Sequence, residues 1–468
     1  MNKRISSCTT ILVGKKASLD GSTLIARNED GYNKPNPQKF CVIQPADQPV
    51  DYTSAINGLK IKLPTSPLRY TSTPDADDQY GIWAGAGINS ANVAMTACET
   101  ITNNPHILAI DPLTDDGIGE ADFVTLVLPY SQSARQAVLR LGQLLETYGT
   151  YETNGIAFSD HDEVWYLETI GGHHWAAIRI PDNAFVVAPN RLNIAGFDFA
   201  SPNTLFSKDL PSLIAQYHLN PDEDQVNLRH IFGTATIKDS HYNNPRAYAI
   251  LKAFGGLDEG DYEDQELPFM MVPTKKLTIE AVKWALSSHF ENTPFDPYGT
   301  GSKDDRQHYR TIGLNRNEET HILQIRNDVP EAIAGIHWLA FGPNTFNGLV
   351  PFYANTNTTP AIYRETQTSF DPNNIYWLNR LTALLGDTDF NRYQGLRDAF
   401  EAQALIDCRK IQLKTDAAIL ANPENSTAQL TAANQALADA YFMNLNQLLG
   451  KMVTTGANHM KLRYSLND

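Results

Sequence analysis

Cysteine is scarce in this chain: there are four in 468 residues, Cys8, Cys41, Cys98 and Cys408, each far from the others. That spacing leaves no CxxC pair and no zinc-ligand pattern, so a reduced, cytoplasmic protein is expected. HExxH, GxSxG and the phosphate-binding P-loop are also missing. Their absence removes the usual signatures of zinc peptidases, serine hydrolases and nucleoside triphosphatases. Gly85-Ala86-Gly87 begins like a dinucleotide fingerprint, but Ser90 stands where the third glycine is needed. Positive charge is in deficit, with 37 Lys and Arg against 53 Asp and Glu and a formal net charge of -16. No nucleic-acid partner is expected from such a balance, and no anionic membrane surface. Apolar runs are short of the roughly 18 residues of a membrane span. Only Ile5 separates Lys3-Arg4 from the Ser6-Ser7-Cys8 stretch, whereas a signal peptide carries an apolar core of about 7 to 15 residues.

What is present is an ordinary 42% of apolar residues, enough for a substantial core in one large domain or several smaller ones. The stretch Cys8 to Asp30, CTTILVGKKASLDGSTLIARNED, organises the reading. Thr9 to Val13 and Leu24 to Ala26 have β-type composition with a Gly-containing turn between them, and Phe40 to Ile43 follows. Pro45 to Gln79 is polar and proline-rich and reads as surface loop, and Trp83 to Thr100 returns to β-type character. Ser133 to Tyr148 has a helical stripe of Ala137, Val138, Leu141, Leu144 and Leu145, with Ser133 placed to cap it and Gly149 to stop it. Four β-type runs follow, Gly155 to Ser159, Val164 to Thr169, Trp175 to Ile180 and Phe185 to Ala188, and read as consecutive hairpins. Strands in hairpin order interrupted by a long helix predict an α+β fold. The last hundred residues change to helical spacing, in two or three helices with a break near Asn422-Pro423-Glu424-Asn425.

Few residues suggest chemistry on their own. Cys408 shares a stripe with Phe400 and Ala404 and reads as core, and Cys41 and Cys98 fall in β-type runs. His173 and His174 are neighbours whose side chains point to opposite faces of a strand, so they do not make a metal pair there. No metal or cofactor is expected. Cys8 differs by position: a cut between Ser7 and Cys8 would give one residue both a thiol and a free α-amine. The amine has an ordinary pKa of about 7.7 to 8.0, below the roughly 8.5 of a thiol. It can accept a proton near neutrality, so no histidine is required. A hairpin brings the end of its second strand back beside Cys8, and Arg27 and Asp30 lie at and just past that end.

Cys8-Thr9-Thr10, Asp20-Gly21-Ser22-Thr23 and Ala26-Arg27-Asn28-Glu29-Asp30 together resemble the N-terminal signature of the dipeptidase A family of lactic-acid bacteria. That family is similar in fold to penicillin V acylase and bile-salt hydrolase. EVWYLETIGGHHWAAIRIPD at Glu163 to Asp182, VAPNRLNI at Val187 to Ile194, NNPRAYAILKAF at Asn243 to Phe254, and the segments around Trp338 and Tyr353 carry the resemblance through most of the chain. It implies a four-layer αββα sandwich of N-terminal-nucleophile hydrolases, with residues 1–7 as a removable leader, 8–370 as the catalytic domain and 371–468 as a helical extension. It implies dipeptide substrates and no cofactor. A homo-oligomer is also expected, with the C-terminal helices either packed on the catalytic domain or placed at the oligomer interface. The resemblance assigns Cys8 as nucleophile, Arg27 as the charge that stabilises its thiolate, Asp30 as the holder of the α-amine, Asn190 as an oxyanion donor and Arg246 as a second active-site arginine. The comparable run NVAMTACET puts Ala97 and Cys98 where the acylases have a further pocket position, and no role is assigned there. An N-acyl amide hydrolase of the penicillin V acylase type, or a catalytically silent secernin-like protein, are the alternatives on the same fold.

Overall fold

A computed structural model describes residues 7–31, 34–424 and 426–460, apart from the side chains of Tyr80, Cys98 and Glu99. Of the expected leader only Ser7 lies among the described residues, and 461–468 lie outside them. The architecture is α+β, built on two antiparallel sheets. The larger has seven strands in the order Met270–Met271, Phe185–Ala188, Ser7–Val13, Thr23–Asp30, Asn317–Ile325, Gly335–Phe341 and Val350–Tyr353. The other has six, Thr204–Phe206, His174–Ile180, Val164–Ile170, Asn154–Ser159, Ala94–Thr100 and Ala86–Ile88.

Strand alternation sorts the apolar side chains into three clusters. Leu12 and Ile25 join Ala157, Tyr166 and Leu323 in a cluster drawn from both sheets. Their neighbours Ile11, Val13, Leu24 and Ala26 pack instead with the helices Asn244–Gly255, Ile279–Ser287 and the three C-terminal ones. On the six-stranded sheet Ile156, Phe158, Trp165 and Leu167 pack with the helices Glu120–Val127 and Ala134–Tyr148. Ser133 caps the latter through Gln136 N, and Gly149 ends it at a φ of 68° that suits glycine.

The C-terminal helices are three, Ile375–Asp387, Phe390–Ala421 and Ser426–Ala457. The last of them covers a sheet edge. Asn434 accepts from Tyr353 N at 2.9 Å and donates to Tyr353 O at 3.0 Å, which satisfies edge groups that would otherwise invite another strand. No helix among the described residues is long and apolar enough to cross a membrane.

The structure differs from the sequence reading in four places. Thr23–Asp30 continues as strand four residues past Ala26, fully buried. Its polar end is sustained by distant partners: Asn28 accepts from Thr320 and Asn344, and Asp30 accepts from Asn317. Phe185–Ala188 does not extend the row of hairpins. It changes sheets and pairs with Ser7–Val13, Thr10 opposite Ala188. Cys41–Ile43 pairs with Tyr70–Ser72 in a small separate sheet rather than with the first hairpin. The segment read as surface loop between Pro45 and Gln79 therefore contains a buried strand, and it contributes Ile61, Leu63 and Tyr70 to the core.

Candidate active site

The first hairpin pairs Ser7 with Asp30, Cys8 with Glu29 and Thr10 with Arg27. Because residues two apart share a face, Cys8, Arg27 and Glu29 lie on one side of the sheet. Arg27 is fully buried there. Its Nη1 donates to Cys8 Sγ at 3.1 Å, its Nη2 to Glu29 Oε2 at 2.9 Å and its Nε to Thr96 Oγ1 at 2.9 Å. A guanidinium at hydrogen-bond distance favours thiolate over thiol.

Gly85 makes this approach possible. A Cβ at that position would lie 2.3 Å from Glu29 Oε2 and 2.4 Å from Arg27 Nη2. The glycines that look like half a nucleotide motif thus begin with one that gives the Arg27–Glu29 pair room.

Behind Arg27 the polar chain continues. Next on the same row is His321, paired with Arg27 across the strands. Thr96 Oγ1 accepts from Arg27 Nε and shares a hydrogen bond with His321 Nε2 at 2.9 Å, and His321 Nδ1 shares one with Glu319 Oε1 at 2.8 Å. Burial, with Arg27 adding to it, holds His321 well below its ordinary pKa, so the ring is neutral. Burial pushes the Glu319 carboxyl up to about 7 against the pull of Arg27 and of the Thr73 hydroxyl.

Asn190 follows the sheet-changing strand. Asn193 and Ile194 in its loop donate their backbone N–H groups to the buried carboxylate of Glu168, at 2.5 and 3.1 Å, and Asn243 Nδ2 donates to Asn190 O at 3.1 Å. Asn190 Oδ1 receives Cys8 N–H at 3.2 Å and Arg246 Nη2 at 2.9 Å, while Nδ2 donates to Thr100 O at 3.2 Å. Donors on one side and a carbonyl on the other fix which way the amide faces.

Arg246 is wholly buried on the helix Asn244–Gly255. Its Nη1 donates to Cys8 O and to Thr9 Oγ1, Nη2 also to Asn243 Oδ1, and Nε to Tyr242 O. It therefore holds the backbone of Cys8.

The five residues singled out by the sequence divide accordingly. Cys8, Arg27, Asn190 and Arg246 are joined by direct hydrogen bonds. Asp30 is beside them, opposite Ser7, but its carboxylate is engaged by Arg310 and Asn317 rather than by Cys8 N. The nitrogen of Cys8 is held instead by Asn190. Cys98 lies where the ladder slips between Ala97 and Glu99, and its side chain is outside the described residues. Thr96, in the same run, is the member that reaches the site. Sequence reasoning missed Thr96, Glu319 and His321, since a threonine and a Glu-Thr-His alternation in a strand carry no signal until the register places them beside Arg27.

His173 and His174 do converge, because His173 still belongs to the Gly171-Gly172 turn and His174 begins the strand. They share the carboxylate of Asp111, at 2.9 and 2.7 Å. Among the described residues, His241, Glu263 and His308 are the group whose ligand atoms, all within 4.8 Å of one another, would suit a metal ion.

A buried thiol near a strand start, with a guanidinium on its sulfur and hydrogen bonds fixing its backbone, is an arrangement that can support nucleophilic chemistry at sulfur. The chain belongs to peptidase family C69, whose family model matches residues 7–403. It is 55% identical over 472 residues to the probable dipeptidase B of Lactococcus lactis subsp. lactis, covering 100% of this chain and 99% of that one. It is 54% identical to the dipeptidase A of Lactobacillus helveticus, over 99% of both chains. With a probable dipeptidase A of Streptococcus pyogenes the identity is 44%, over the whole of both.

Proposed function

We propose that this chain is a cytoplasmic dipeptidase that works through Cys8 after losing Met1 to Ser7, on the four-layer αββα framework of N-terminal-nucleophile hydrolases. The observation that carries the reading is the Arg27 guanidinium 3.1 Å from a thiol whose own amide nitrogen and carbonyl are both held, by Asn190 and Arg246. The dipeptidase names of relatives matching along the whole chain supply the substrate class.

Activation begins with attack of the Cys8 sulfur on the Ser7 carbonyl carbon. The C–N bond breaks, the acyl group passes to sulfur, and water hydrolyses the thioester, leaving a carboxylate on the leader and a free amine on Cys8. In the mature site that amine accepts the thiol proton while sulfur adds to the dipeptide carbonyl. The oxyanion is met by the Asn190 amide. Collapse expels the second amino acid with the proton from the amine, and water then releases the first from the thioester. Arg27 stabilises the sulfur whenever it is anionic. Arg246 positions rather than reacts, tying Cys8 O to the Asn190 loop.

Residues 8–370 form the catalytic domain and 371–468 the helical extension. That extension supports the homo-oligomer reading, because Ile406, Leu413 and Leu420 recur at a seven-residue interval and are exposed.

The test is intact mass and N-terminal sequencing on purified protein, followed by assay of the same sample on dipeptides beside penicillin V and N-acyl amino acids. A chain beginning at Cys8 that hydrolyses dipeptides is expected. A chain beginning at Cys8 that cleaves only acyl amides, or nothing, would overturn the reading.

A further inference from the structure

On the side of the hairpin away from the thiol, cationic groups gather around the residue that is to be removed. Ser7 Oγ accepts from Arg310 Nη2 at 3.2 Å and from Arg316 Nη2 at 3.1 Å. The second of these nitrogens also donates to Tyr242 Oη at 3.1 Å, and the Tyr242 ring lies under Arg246 and Arg310, 5.1 and 5.3 Å from their guanidinium carbons to the centroid. Arg310 has a carboxylate partner in Asp30. Arg316 has none among the described residues: its partners are Gly31 O, Ser7 Oγ and Tyr242 Oη. Arg310 Nε is buried without a hydrogen-bond partner.

Two guanidinium groups converging on one neutral hydroxyl are an incomplete pairing. When Ser7 leaves, a point faced by both Nη2 atoms is vacated one residue from the nucleophile. Forked N–H donors suit a planar anion better than a single hydroxyl oxygen. Burial alone would raise the Tyr242 phenol, yet Arg310 and Arg246 bring it down to about 8, a direct mark of the positive field here. The serine hydroxyl stands in for one oxygen of an anionic group.

We propose that Arg310 and Arg316, with Tyr242 between them, form the subsite that receives a carboxylate of the substrate. The inference rests on Cys8 being the nucleophile of a dipeptidase. A dipeptide offers that carboxylate at its C-terminus, or on an acidic side chain of its first residue. Where the carboxylate received is the C-terminal one, the site favours short peptides, because it lies one residue from Cys8 along the strand.

The test compares wild type, Arg316→Gln and Arg316→Lys on a dipeptide, its C-terminal amide, and a dipeptide with glutamate first. For Arg316→Gln, the preference in kcat/KM for free acid over amide is expected to fall by about tenfold or more, mainly through KM, with partial rescue in Arg316→Lys. If only the glutamate-first preference falls, the carboxylate received is the side chain's. Equal losses on acid, amide and glutamate substrates would overturn the proposal. A second readout does not depend on dipeptidase activity: the ratio of Cys8 alkylation rates by iodoacetate and by iodoacetamide. Arg316→Gln should lower that ratio even if no dipeptide is cleaved, and an unchanged ratio would count against the subsite whatever the enzyme's substrate.

Discussion

Cys8 and Cys408 are both fully buried, and they lie in opposite chemical settings. Around Cys408 are the apolar faces of the two long C-terminal helices, with the Leu437 carbonyl 4.0 Å from the sulfur, and burial pushes the thiol up to about 12. Around Cys8 are a guanidinium, two glutamates, a histidine and hydroxyls, arranged so that donors meet acceptors. Burial makes one thiol inert and the other usable. The difference lies in the residue two strand positions before Glu29, since a desolvated Arg27 does in the interior what water cannot.

The comparison breaks most completely at Cys8 itself. Cys8→Ala should lose dipeptide hydrolysis on the order of 10⁴-fold or more while keeping its circular dichroism spectrum, and a Cys8→Ala protein with substantial activity would remove the thiol from the mechanism. Next is Arg27→Gln, which leaves Cys8 in a setting closer to that of Cys408. A loss of about 100-fold is expected, with the pH midpoint of Cys8 alkylation moved upward. Alkylation at the wild-type midpoint would show that Arg27 does not set it.

The polar side also carries a stability signature. Glu319, like Glu168 and Glu318, is raised by burial from 4.5 to about 7. A carboxyl that binds its proton more tightly when folded contributes stability that is complete below about 4.5 and lost as pH rises through about 7. Thermal midpoints should therefore fall across that window, and Glu319→Gln, which removes one of these contributions, should make the slope shallower. An identical slope would mean that Glu319 is ionised throughout. The smallest effect is expected at Cys408→Ala: full activity and a cost of about 1 kcal/mol in urea unfolding. Lost activity there would link the helical end to the site.

Much of the site was legible because its residues sit in short contiguous motifs. Arg27 lies in ARNED, Asn190 in VAPN and Arg246 in NNPR, and all three reach Cys8. The helix at Ala134–Tyr148 was legible from its stripe and caps. What was not legible depends on register between distant strands. Asn28 and Asp30 look like a turn, and they are strand because Thr320, Asn344, Asn317 and Arg310 reach them from about 300 residues away. Phe185–Ala188 has the composition of a fourth hairpin strand, and nothing local distinguishes pairing with Ile180 from pairing with Thr10. His321 carries no motif, and its place beside Thr96 is set by two sheets at once.

The strand order has a consequence for when the protein becomes active. Cys8 is made well before most of its sheet: its neighbours across the sheet are Thr23–Asp30 and Phe185–Ala188, and the next strand is Asn317–Ile325. A nascent chain that stops short of Ile325 has Cys8 but lacks the strand that pairs beside Arg27 and supplies His321. Under the proposed activation, loss of the leader from a molecule would be a receipt for folding: it would record that the strand Asn317–Ile325 had already found the first hairpin.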